Sequence, residues 1–162
     1  MKKTFWVVGS IVALAALGFA YYAISPLFRV VEMHDPLPAA QNQKDDGEEI
    51  ATSAAETLPS PNGTAPVIGT LGHPAEGTAR VISADGKKYL RYENFKTING
   101  PDIYVYLSKD LEAKEFISLG KVKATVGDIN YELPEGVDLQ EYPYALTWCK
   151  AFRVLFNSAK IY

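Results

Sequence analysis

Twenty consecutive residues near the start of this chain, FWVVGSIVALAALGFAYYAI from Phe5 to Ile24, carry no charge. No other feature restricts the chain's architecture so tightly. As a helix rising 1.5 Å per residue, such a run spans roughly 30 Å, the hydrocarbon thickness of a bilayer. Phe5 and Trp6 at one end, and Tyr21 and Tyr22 at the other, suit the two water–lipid interfaces. Lys2 and Lys3 precede the run, whereas Arg29 beyond it is soon answered by Glu32 and Asp35. The positive-inside rule then leaves the N-terminus in the cytoplasm and exports everything after the helix. The expectation is a single-pass transmembrane anchor over 1–28, inserted in the membrane through residues 5–24. A cleaved signal peptide is the rival reading. Gly18-Phe19-Ala20 supplies small residues at the −3 and −1 positions, and cleavage after Ala20 would release a secreted product. Either way the remainder of the chain is extracytoplasmic.

The next segment, 29–66, holds no hydrophobic period. Residues 36–66 contain one Lys against five acids and are rich in Pro, Ala, Ser, Thr and Asn. Such a stretch buries too little apolar surface to offset its ordering entropy, and it reads as a disordered acidic linker. Met33 and His34 read as solvated linker residues.

Beyond Pro66 the pattern becomes β. Tyr89–Phe95 and Ile103–Leu107 are β-branched or aromatic runs, and between them lies the turn Asn99-Gly-Pro-Asp102. Shorter candidate strands are Thr78–Ser83, Phe116–Leu119, Ala124–Gly127, Asn130–Leu133, Ala145–Cys149 and Arg153–Phe156. Asp85-Gly86 reads as a hairpin turn. One helical turn is expected at Leu111–Phe116. Eight or so short strands in under 100 residues imply an all-β domain over 67–162, an antiparallel β-sandwich or barrel, of which we take the sandwich.

The inventory of reactive residues excludes much. Residues 67–162 carry 12 basic and 12 acidic side chains, so nothing marks a nucleic-acid partner. One Cys makes neither an internal disulfide nor a paired-cysteine zinc site. No phosphate loop, HExxH or GxSxG occurs, so no hydrolase or transferase motif is present. A serine triad would need His73 as its base, in a context that does not support it. With one His (His73), one Cys (Cys149) and no Met, this region cannot assemble a blue-copper site. A haem held by the Cys149 thiolate or by His73 alone stays open, although no sequence feature argues for haem.

Cys149 sits in Leu146-Thr-Trp-Cys-Lys-Ala-Phe152. On a strand it shares a face with Thr147 and lies opposite Trp148. Two readings stay open: a buried thiol serving as a small hydrophobe, or a redox thiol or cofactor ligand. The tyrosines divide in the same way. Tyr104 and Tyr106 share one face, opposite Ile103, Val105 and Leu107, either as cover for the sheet or as an exposed aromatic platform for a sugar or protein.

Three blocks give the chain a family likeness. Tyr89-Leu-Arg-Tyr-Glu-Asn-Phe-Lys-Thr-Ile-Asn-Gly-Pro-Asp-Ile-Tyr-Val-Tyr-Leu-Ser108, Gly136-Val-Asp-Leu-Gln-Glu-Tyr142 and Thr147-Trp-Cys-Lys-Ala-Phe-Arg-Val-Leu-Phe156 occur in order. Over about residues 68–162 the sequence resembles the DM-thirteen domain, a proposed electron-transfer domain found beside DOMON domains. The resemblance implies a β-rich domain outside the membrane with a redox role. It places the family's hallmark cysteine on Cys149, acting as a bare thiol or by holding a group such as haem. No DOMON or cytochrome segment is present in this chain, so a separate redox partner protein is expected. The alternative, from another functional class, is a non-catalytic binding or adhesion module in which Cys149 only packs.

Overall fold

The computed structural model describes residues 2–25, 29–38 and 63–162. Helix α1 covers Lys2–Ile24 and strand β1 covers Glu32–His34. Two short strands follow, β2 (Ala65–Pro66) and β3 (Ile68–Gly69), then the long hairpin β4 (Ala75–Ala84) and β5 (Lys87–Thr97). The rest are β6 (Ile103–Ser108), β7 (Phe116–Lys121), β8 (Val126–Glu132), β9 (Tyr144–Cys149) and β10 (Val154–Lys160).

The strands form two five-stranded sheets, ordered β1-β8-β5-β4-β2 and β3-β10-β9-β6-β7. Every pairing is antiparallel except β1 with β8. The sandwich-like, mostly β architecture therefore agrees with the alternation in the sequence. Leu90 and Tyr92 on β5, Ile129 and Tyr131 on β8, Val105 and Leu107 on β6 and Ala145 on β9 are all buried in one cluster. Each pair is spaced by two, the period that puts side chains on one face of a strand.

Local chemistry explains the turns. Asp85 and Gly86 close the β4–β5 hairpin with φ of 50° and 75°, the paired left-handed conformation of a two-residue primed turn. Further along β5 its register with β8 shifts between Tyr92 and Phe95, with Asn94 at φ 49°, and its register with β4 shifts between Glu76 and Thr78. Gly77 faces this bulge at φ 106°, and a Cβ there would lie 2.7 Å from the Asn94 carbonyl oxygen. The close approach of two backbones requires the glycine.

Two expectations change. The candidates Ala124–Gly127 and Asn130–Leu133 are one strand, β8. The helical turn expected at Leu111–Phe116 is absent: Asp110 Oδ1 accepts the N–H groups of Glu112 (2.8 Å) and Lys114 (3.2 Å), and Ala113 is left-handed at φ 52°. A side chain that captures its following amides offers the backbone an alternative to helix.

The linker expectation is corrected at its start. Residues 29–38 are not a free tether but a strap along sheet one. Val31 O accepts the amides of Thr125 (2.7 Å) and Val126 (3.1 Å), and Asp35 N donates to Asp128 O (2.8 Å). The Asp35 carboxylate accepts Asn130 N (2.9 Å), and buried Arg91 donates to the Asp35 carbonyl oxygen (3.2 Å). Gly127, at φ 118°, makes room for the Met33 carbonyl. His34 is exposed but not unpaired, standing 3.2 Å from Glu32 and 3.4 Å from Asp128. The other linker residues, 39–62, lie outside the described residues. Among the described residues no helix is long and apolar enough to cross a membrane.

Candidate functional site

Cys149 ends β9 with Ile103 of β6 on one side and Val154 of β10 on the other. It is free and 0% exposed. Ile103, Cys149 and Phe156 form a small apolar cluster of their own, with Ile98 and Val122 packed on it. The turn after β5 closes the cluster's end. A Cβ on Gly100 would lie 2.8 Å from Phe156 Cζ and 2.9 Å from an Ile103 methyl, so only glycine lets the backbone lie so close. The Asp102 carbonyl then accepts Lys150 N at 2.8 Å, tying that turn to the residue after Cys149.

His73 reaches the same cluster from outside. Its ring stacks on Phe156 with centroids 4.1 Å apart and planes at 27°. Thr70 Oγ1 donates to the Leu155 carbonyl at 2.7 Å and stands 3.1 Å from His73 Nδ1. With the hydroxyl proton committed to Leu155, the Thr70 oxygen accepts in that contact and His73 Nδ1–H donates. The structure thus gathers His73 and Cys149 around one phenylalanine, with the His half-buried and the Cys sealed. Among the described residues no group of three His, Cys, Asp or Glu side chains converges to hold a metal ion.

Beside Cys149 the interior is unexpectedly polar. Thr147 lies two residues back on the same face and pairs with Asn157 of β10. Asn157 Nδ2 donates to Thr97 Oγ1 at 3.0 Å, while Asn157 Oδ1, Thr147 Oγ1 and Tyr92 OH have no hydrogen-bond partner among the described residues. Tyr92 OH faces Thr147 Oγ1, and burial holds its phenol well above the ordinary tyrosine range. Tyr131 is pushed up to about 12, again chiefly by burial, although its oxygen accepts Lys123 N at 2.9 Å. Sequence reasoning missed this cluster. Alternation puts Tyr92 on one face with Leu90 but does not say that this face is the interior, and that Thr147 and Asn157 meet it depends on how the two sheets pack.

The other face of β9 differs. Trp148 is half-buried and lines an open cleft of about 800 Å³ with Tyr106, Leu111, Phe116, Lys150 and Arg153. Tyr106 stacks on Phe116 with centroids 4.1 Å apart, and Tyr104 tilts against Tyr106 at 6.1 Å. Lys121 and Lys150 lie 5.9 and 5.5 Å from the Tyr104 ring centre, within cation–π range. The tyrosine face expected from alternation is real. Tyr106 itself is buried by this stacking, at 3% exposure.

A haem on the Cys149 sulfur does not fit this arrangement. The thiol is fully enclosed, and the roomy cleft opens on the opposite side of the strand.

These features define a β-sandwich-like domain built around one sealed thiol. A family model described as electron transfer DM13 matches residues 68–161, more than half of the chain. The chain belongs to that family. No curated protein and no solved structure matches it.

Proposed function

We propose that this chain is an electron-transfer module, held at the outer side of a membrane through residues 5–24, in which Cys149 is the redox-active side chain. The observation that carries the reading is the family match, inside which Cys149 is the sole thiol. Full burial restricts the chemistry. A sulfur without solvent access neither attacks a disulfide nor pairs with a second thiol, so the couple would be thiol and thiyl radical. Cys149 gives up one electron, by way of Phe156 and His73 or across the strand through Trp148, together with its S–H proton, and regains both on reduction. A separate redox partner protein then supplies or takes the electron. No hydrolase or transferase motif is present, and the role is that of a carrier.

The test is a redox titration of the purified full-length protein beside its Cys149→Ala variant, with absorption spectra recorded throughout. The reading expects a redox equivalent in the parent that vanishes in the variant while the fold is retained. A parent protein with no redox equivalent sinks it. For the membrane reading, alkaline extraction should leave the protein in the pellet, and protease added outside intact cells should remove the domain. A mature chain starting at Tyr21 would instead establish cleavage after Ala20.

One observation favours a second reading. A thiol at 0% exposure in an apolar cluster is where a purely structural cysteine belongs. In that case the protein is a binding or adhesion module, and Cys149→Ala leaves its function intact.

A further inference from the structure

The geometry points to the cleft over Trp148 as a binding site for a small planar aromatic anion, a site independent of any redox role for Cys149. Three observations converge on it. The first is shape and lining. A concavity of about 800 Å³, walled by Tyr106, Phe116, Trp148 and Leu111, lies within the roughly 300–1,000 Å³ typical of small-molecule sites. Tyr106 and Phe116 are already stacked at 19°, so the exposed Phe116 ring, backed by buried Tyr106, offers its free face to a flat ligand.

The second observation is charge. Lys150 and Arg153 line the cleft, and neither forms an ion pair with a carboxylate among the described residues. Lys114 is also in the lining, but Glu112, itself a lining residue, holds it. That leaves Arg153, and Lys150 beside the Tyr104 ring, as cations without a carboxylate partner among the described residues, and they select for an anion. A neutral sugar would use the rings without needing either charge.

Backbone strain is the third. Four non-glycine residues among those described have positive φ, and two of them, Ala113 (52°) and Arg153 (56°), are in this lining. Arg153 closes the β9–β10 hairpin, where glycine would adopt the same conformation without cost. An arginine in a left-handed conformation suited to glycine, with its side chain on the cleft, points to the guanidinium as the useful part.

The experiment uses full-length protein carrying Trp6→Phe, so that Trp148 is the only tryptophan emitting. The probe is anthraquinone-2-sulfonate, a planar anion, titrated against Trp148 emission, with neutral 2-(hydroxymethyl)anthraquinone as the comparison. Saturable quenching is expected for the sulfonate, with the neutral analogue weaker by roughly tenfold or more, the scale of one charge-assisted contact. Arg153→Gly and Lys150→Gln should each weaken the sulfonate several-fold. Arg153→Gly should do so without lowering the melting temperature, since it removes the left-handed strain, and this separates loss of the cation from loss of the fold. Quenching that never saturates, a neutral analogue that binds equally well, or full affinity in Arg153→Gly would each overturn the assignment.

Discussion

Cys149 and Trp148 are consecutive residues on β9, yet their surroundings have little in common. The cysteine faces inward, at 0% exposure, among Ile103 and Phe156. The tryptophan faces outward into a cleft with a cationic rim. The two-residue period of a strand puts one peptide unit between a sealed interior and an open surface. The contrast separates two properties that a family likeness merges. Cys149, the sole thiol inside the family match, is a core residue in packing terms, whereas the cleft we propose as a binding site lies behind it.

The sharpest way to break the comparison is to open the sealed side. Phe156→Ala should cost about 3–5 kcal/mol in chemical denaturation, and it should let a thiol reagent reach Cys149 in native buffer. The parent should be labelled only as fast as it unfolds. Rapid labelling of the native parent would dissolve the distinction between the faces. A smaller loss is expected for Cys149→Ser, about 1–3 kcal/mol, because a hydroxyl there would be one more unpaired polar group in the interior. A change near zero would mean that the site is wetter than its packing implies. On the open face, Lys150→Gln should stay within about 0.5 kcal/mol, and a larger loss by the same denaturation assay would show that the cleft carries structural weight.

The weakest effect belongs to the exposed strap on the other sheet, where titration replaces packing. Hydrogen bonds from His34 to Glu32 and then to Asp128 raise the His34 pKa above its ordinary value. The contribution of this contact to holding β1 is complete below about pH 6.5 and is lost as pH rises through the raised value. The Asn94 N–H, and then His34, hold the Asp128 carboxyl below its usual range. Its contribution is present above about pH 3.9 and is lost as pH falls through that depressed value. Amide exchange at Asp35 and Val126, corrected for intrinsic rates, should therefore be slowest between these limits. His34→Ala should flatten the alkaline side, and an unchanged profile would rule the contact out.

Legibility in the sequence followed the range of the interactions. Strands β4, β5, β6 and β9 were visible because alternation and turn residues are local, and the Asp85–Gly86 hairpin was specified by two residues. Strand β1 was invisible: Glu32-Met-His34 has no β signature and pairs only because Gly127, some 90 residues later, admits the Met33 carbonyl. The Leu111–Phe116 turn failed as a helix because a single carboxylate, Asp110, outcompetes a nucleus that is costly in so short a segment. Cys149 emerged as a candidate from a count of reactive residues together with the family resemblance. Neither its depth nor its proximity to Phe156 and His73 could be counted.

What the sequence determined alone is what depends on composition and short periods: an uncharged helix-length run, a β-sandwich-like domain after it, and a reactive inventory reduced to one thiol and one histidine. The tertiary structure decided what depends on contact across the sheets and along their edges. It sealed the thiol, placed the buried polar side chains Thr147, Asn157 and Tyr92 near it, turned the presumed start of the tether into an edge strand, and brought Leu111, Trp148 and Arg153 to one cleft. Each of these needs residues from separate strands or loops to meet in space, and a one-dimensional pattern does not encode which distant backbones meet.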